Sequence, residues 1–90
     1  MRADHAHISR LLKTARGQID GILRMIEEDR YCMEISTQIN ASTAILKTAN
    51  RAVLKAHIAG CMQEAFNSGT EKDREKKIEE LLSLVDRTAD

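Results

Sequence analysis

Cys32, His57 and Cys61 are the strong metal ligands in the body of this 90-residue chain, and the last two stand four residues apart. On a helix, side chains at i and i+4 project from successive turns of one face, so an imidazole nitrogen and a thiolate can hold one ion between them. Cys32 lies 25 residues before His57, so it reaches the pair from another helix, another subunit or the far end of one long rod. Two thiolates and one imidazole form a soft, three-donor set without a carboxylate. Soft sulfur selects Cu(I), zinc or iron–sulfur chemistry; a closed zinc site usually has a fourth protein ligand, whereas Cu(I) is satisfied by three. Nickel would need further donors, from His5 or His7 or from water. Those two histidines are i and i+2, do not share a helix face, and read as solvated. The bland alternative is that the cysteines are small buried hydrophobes and His57 a hydrogen-bonded histidine.

The elements that must position these residues are helices. The chain has no proline, no tryptophan, one tyrosine, one phenylalanine and four glycines, and its apolar content is Ile, Leu, Ala, Val and Met, a helix-forming composition. From Ile8 the apolar residues Ile8, Leu12, Ala15, Ile19, Ile22 and Ile26 keep one stripe in line, which predicts a first helix over about 5–28, capped by Asp4 and closed by Glu28-Asp29-Arg30. Gly17 and Gly21 inside it suggest close approach of a neighbouring helix. A second helix is expected over about 31–66, roughly 50 Å long. Its stripe runs through Cys32, Ile35, Ile39, Ser42, Leu46, Ala49, Val53, Ala56 and Gly60, widened by Ala41, Ile45 and Ala52. Asn67-Ser68-Gly69 is a stop signal and Thr70-x-x-Asp73 resembles a capping box, so a third helix is expected over about 72–88, burying Ile78, Leu81, Leu82 and Val85.

Ninety residues make one small domain, near the size at which a lone core is marginal. An all-α, three-helix protomer with a long central helix cannot cover that helix by itself, so an antiparallel dimer forming a four-helix bundle is expected, and a dimer of dimers beyond it. Antiparallel pairing would carry Cys32, at the start of one long helix, towards His57 and Cys61 near the end of its partner. No apolar run is long enough to span a membrane and no secretory h-region follows the first arginine. A soluble, cytoplasmic protein with thiols free for metal or redox chemistry is expected.

Cys32, followed by His57-x-x-x-Cys61, embedded in RYCMEISTQINA (30–41) and preceded by ARGQIDGI (15–22), resembles the copper-sensitive operon repressor family, which includes nickel and cobalt, formaldehyde and sulfane-sulfur sensing members. The likeness covers almost the whole chain. It implies an all-helical dimer pairing into a tetramer, bound to operator DNA when metal-free and released by Cu(I). Cys32 would then come from one protomer and His57 with Cys61 from the other. The resemblance also implies an outer layer around the ligands, to which Tyr31 corresponds directly and Glu80 if the loop at Gly69 carries a short insertion, with Glu79 as the alternative.

The zero net charge is unevenly spread: residues 1–60 carry nine Lys or Arg against six acids, and residues 61–90 five against eight. No helix-turn-helix, zinc finger or aromatic stacking platform is present, so contact with DNA would rest on basic helical faces. Arg10, Lys13, Arg16 and Arg24 on the first helix and Lys47, Arg51 and Lys55 on the second are the candidates, their contribution multiplied by assembly. The family commonly carries a denser basic run before the glycine–glutamine pair, so either the operator sequence or the affinity for it is expected to differ, with Lys13 and Arg16 retaining the general DNA role. Two readings compete: a thiol sensor in which Cys32 and Cys61 are bridged by oxidants or sulfane sulfur, and a helical copper-binding protein without DNA binding, against which the scattered Met1, Met25, Met33 and Met62 speak. An enzyme is not expected, since nothing resembles an oxyanion loop or a substrate cleft.

Overall fold

The computed structural model describes residues 1–88, the side chains of Ser68 and of residues 85–88 excepted. Three α-helices follow one another: α1 (His5–Glu27), α2 (Cys32–Ser68) and α3 (Glu71–Thr88). Asp4 caps α1 through a carboxylate oxygen 3.0 Å from the Ala6 amide. At the other end Asp29 adopts a left-handed φ of 52°, its amide donating to the Ile26 carbonyl and that of Arg30 to the Met25 carbonyl, both at 3.0 Å. This double closure is a Schellman motif with aspartate where glycine is usual. The Tyr31 carbonyl then accepts from the amides of Glu34 and Ile35 and opens α2, while Arg30 grips Glu34 at 3.0 Å across the first turn.

The residues form two compact units, Asp4–Ala52, and Val53 onward together with Met1–Ala3, with α2 contributing to both. In the first, Ile8, Ala15 and Ile22 are buried on α1 and Ser42 and Ala49 on α2. Each series repeats every seven residues, the spacing that keeps two packed helices in register. Ser42 Oγ donates to Gln18 Oε1 at 2.9 Å, which satisfies the one buried polar side chain among the described residues. The other half of the expected stripe is not buried within the chain. Leu12, Ile19 and Ile26 on α1 and Ile39 and Leu46 on α2 are all more than two-fifths exposed. One partner helix covers one edge of a wide apolar face, and these residues lie on the other edge. The expectation for Gly17 and Gly21 also fails within the chain: a Cβ at Gly17 would meet nothing within 4 Å, and at Gly21 only Arg24 Nη2 at 3.8 Å.

In the second unit Gly69, at φ 62°, ends α2, and Thr70 Oγ1 accepts from the Asp73 amide at 3.2 Å to start α3. Leu81 is half-buried, but Ile78 and Leu82, expected inside, are more than half exposed. Val85 lies outside the described side chains. Ile78 and Leu81 face Met62, Ala65 and Phe66 across a groove rimmed by Arg74 and Lys77. A short helix laid on the end of a longer one leaves such a groove open, because no third layer covers it. Among the described residues no helix is long and apolar enough to cross a membrane.

Candidate metal centre

His57 and Cys61 sit one turn apart near the carboxyl end of α2, as their spacing dictates. His57 Nε2 is 3.3 Å from Cys61 Sγ. The same nitrogen is 2.6 Å from Glu80 Oε1 on α3. The three side chains place one donor atom each within 4.8 Å of one another. Cys61 is only 1 % exposed, so its sulfur is held by the surrounding packing, whereas His57 and Glu80 are partly open to water.

The Glu80 carboxylate is lowered below its ordinary range, first by its hydrogen bond with His57 and then by the charge of Lys77, whose Nζ is 3.7 Å from Oε2. The ionised form is therefore the one the fold favours, and its link to His57 holds at neutral pH and is lost as pH falls through that lowered value. The imidazole nitrogen and buried thiol suit a soft or borderline ion; the carboxylate adds a hard oxygen beside them. A ring nitrogen cannot donate to Glu80 and bind an ion at once. An ion on Nδ1 leaves Nε2–H on the carboxylate, the arrangement that commonly orients a ligating histidine.

Of the residues expected at the site, the protomer thus brings together His57, Cys61 and Glu80, and it is Glu80 rather than Glu79 that meets the imidazole. Cys32 is exposed at the first turn of α2 and is not part of that cluster. Tyr31, 65 % exposed, serves as the cap of α2. His5 and His7 are exposed in the first turns of α1 and stand outside the cluster.

One pair of residues went unnoticed in the sequence. Arg2 forms an ion pair with Glu64, sixty-two positions away, and no spacing rule signals such a contact. Arg10, Lys13, Arg16, Arg24, Lys47, Arg51 and Lys55 are all exposed. On α2, Lys47, Arg51 and Lys55 recur every four residues and so form a single basic line.

A sequence model of the family described as metal-sensitive transcriptional repressor matches residues 4–87. Among curated proteins, the copper-sensing transcriptional repressor CsoR of Mycobacterium ulcerans (strain Agy99) is 40 % identical over 74 residues, 82 % of this chain and 61 % of that protein. The CsoR of Mycobacterium tuberculosis (strain ATCC 25618 / H37Rv) is 42 % identical over the same share of this chain and 60 % of its own length. This chain therefore spans about three-fifths of the mycobacterial relatives it matches. The CsoR of Bacillus subtilis (strain 168) is 40 % identical over 77 residues, 86 % of this chain and 73 % of that protein. Among solved structures, the nickel-responsive transcriptional regulator InrS superposes with a TM-score of 0.83 at 26 % identity, covering 98 % of this chain and 96 % of that one. With its three helices and a match from residue 4 to residue 87, the chain belongs to the metal-sensitive transcriptional repressor family.

Proposed function

We propose that this chain is a Cu(I)-responsive repressor, with residues 1–90 acting as one sensing domain. His57 and Cys61 of one protomer, with Cys32 of a second, would hold the ion. The observation that carries this reading is that His57 and the buried Cys61, one turn apart on α2, each place a donor atom within 4.8 Å of the other. That pair is half of a soft site, and the remaining cysteine is exposed at the start of α2, where a second copy can present it. Antiparallel pairing of two α2 helices would bring it there, covering Ile39 and Leu46 and, from α1, Leu12, Ile19 and Ile26. Two such dimers would form the tetramer. Bound there, Cu(I) would supply a soft bridge joining the Cys32 and Cys61 thiolates and the His57 imidazole across two protomers.

The residues then do the signalling. Cys32 is drawn towards the partner's ligands, His57 keeps or loses Glu80, and α3 follows through that contact, with Tyr31 beside Cys32 as a further outer contact. The basic line Lys47, Arg51 and Lys55, with Arg10, Lys13, Arg16 and Arg24, would hold operator DNA in the metal-free form. Release follows only to the extent that the ion binds the DNA-incompetent arrangement better. The chain would work in the cytoplasm. Copper as the effector is supported by the curated relatives named as copper-sensing.

A second reading, nickel, is favoured by the likeness to InrS and by Glu80, which offers oxygen beside nitrogen and sulfur. The deciding experiment titrates Cu(I), in competition with a tight chelator, and Ni(II) separately into protein bound to the DNA of its own promoter. Release by one equivalent of Cu(I) per protomer, abolished by Cys32→Ala, His57→Ala or Cys61→Ala, supports the copper reading. Release by Ni(II) alone, or with Cys32→Ala intact, overturns it.

A further inference from the structure

Met1–Ala3 packs with the residues from Val53 onward, although α1 begins only two residues later. Ala3 is buried, 8 % exposed. The Arg2 guanidinium pairs with Glu64, and its side chain lies across Gly60 so closely that a Cβ there would collide with Arg2 Cδ and come within 2.6 Å of Cζ. His57, Gly60, Cys61 and Glu64 stand at i, i+3, i+4 and i+7 of one helix, and therefore on one face. The segment thus runs along the face of α2 that carries the two ligands, and Cys61 on that face is 1 % exposed.

We propose that Met1–Ala3 is a strap that shields the Cys61 thiol, with Arg2 as its latch, Glu64 as the catch and Gly60 as the seat. It deepens the metal-sensor reading and rests on it for its purpose: a ligand from a second copy can join His57 and Cys61 only after the strap yields part of that face. The latch is weak by construction. An ion pair whose two side chains are 42 % and 51 % exposed shifts an open–closed equilibrium by no more than about fivefold. Such a strap slows access to the thiol without sealing it.

The test uses the metal-free full chain in a Cys32→Ala background, so that one thiol remains, and measures the rate of Cys61 alkylation by iodoacetamide. Arg2→Ala and Gly60→Ala should each raise the rate about two- to fivefold. Gly60→Ala keeps the Arg2 guanidinium in the chain whereas Arg2→Ala removes it, so acceleration in both reports access to the thiol rather than loss of the charge. Gly60→Ala adds a further control. It displaces Arg2, a flexible side chain, while strengthening the helix in which Cys61 sits, so acceleration there does not come from local fraying. Far-UV circular dichroism of both variants confirms retained helix. Unchanged or slower alkylation in both overturns the strap, and does so without any metal present, independently of whether the site binds copper.

Discussion

His57 on α2 and Glu80 on α3 meet at 2.6 Å, and this contact is the one polar side-chain bridge from the ligand pair to another helix among the described residues. The contact is a direct connection between the ligand pair and α3. Glu80→Gln retains an acceptor of similar shape but removes the charge. It should weaken Cu(I) binding about 10- to 100-fold, the usual effect of removing a partner that orients a metal ligand, whereas Cys61→Ala should weaken it further. Competition against a Cu(I) chelator measures both. An unchanged affinity in Glu80→Gln would mean that the carboxylate plays no part in orienting His57.

The basic line on α2 predicts a graded loss of DNA binding. Lys47→Ala, Arg51→Ala and Lys55→Ala should each leave folding within about 0.5 kcal/mol of the parent, being exposed substitutions. Each should also reduce the slope of log affinity against log salt by about 0.9 for every phosphate contact removed. Fluorescence anisotropy across a salt series reads this directly. Slopes unchanged from the parent in all three variants would remove α2 from the DNA-contacting surface.

The half-exposed apolar edge of Leu12, Ile19, Ile26, Ile39 and Leu46 predicts an assembly that a single charge can break. Leu46→Asp should shift sedimentation towards the monomer at micromolar concentration and make thermal unfolding strongly dependent on protein concentration. A chain that sediments as a monomer before substitution would refute the dimer.

Within the first unit the packing is tight around small residues. Ala49 is 4 % exposed, so Ala49→Leu should cost about 1–3 kcal/mol by overpacking. Ser42→Ala, which strips Gln18 of its donor, should cost about 0.5–1.5 kcal/mol. Urea unfolding at fixed protein concentration compares them, and the larger effect belongs at position 49.

The turn between α1 and α2 holds a reserve of stability. Asp29 occupies a left-handed conformation that costs an L-residue roughly 1–2 kcal/mol. Asp29→Gly keeps both closing hydrogen bonds and should stabilise the fold by about 0.5–1 kcal/mol after the extra chain entropy of glycine is offset. A lower midpoint in urea would show that the aspartate side chain contributes more than its backbone costs.

The helices were legible because their ends carry local signals: Asp4, the Glu28-Asp29-Arg30 closure, Gly69 and Thr70 all sit at observed termini. The His57–Cys61 pair was legible for the same reason, since i and i+4 is a local relation. Burial was legible only in part. Periodicity marks Ile8 and Leu12 alike as apolar, yet one is buried and the other exposed, because a stripe in sequence does not say which neighbour covers each edge. Glu80 was suggested by resemblance rather than by spacing. Arg2 and Gly60 had no signal, because a contact between segments sixty positions apart leaves no periodic trace.

The unequal burial of the two cysteines, Cys32 exposed and Cys61 enclosed, gives thiol chemistry on this chain a direction. An electrophile arriving from water meets Cys32 first, and reaches Cys61 only where the packing around it opens.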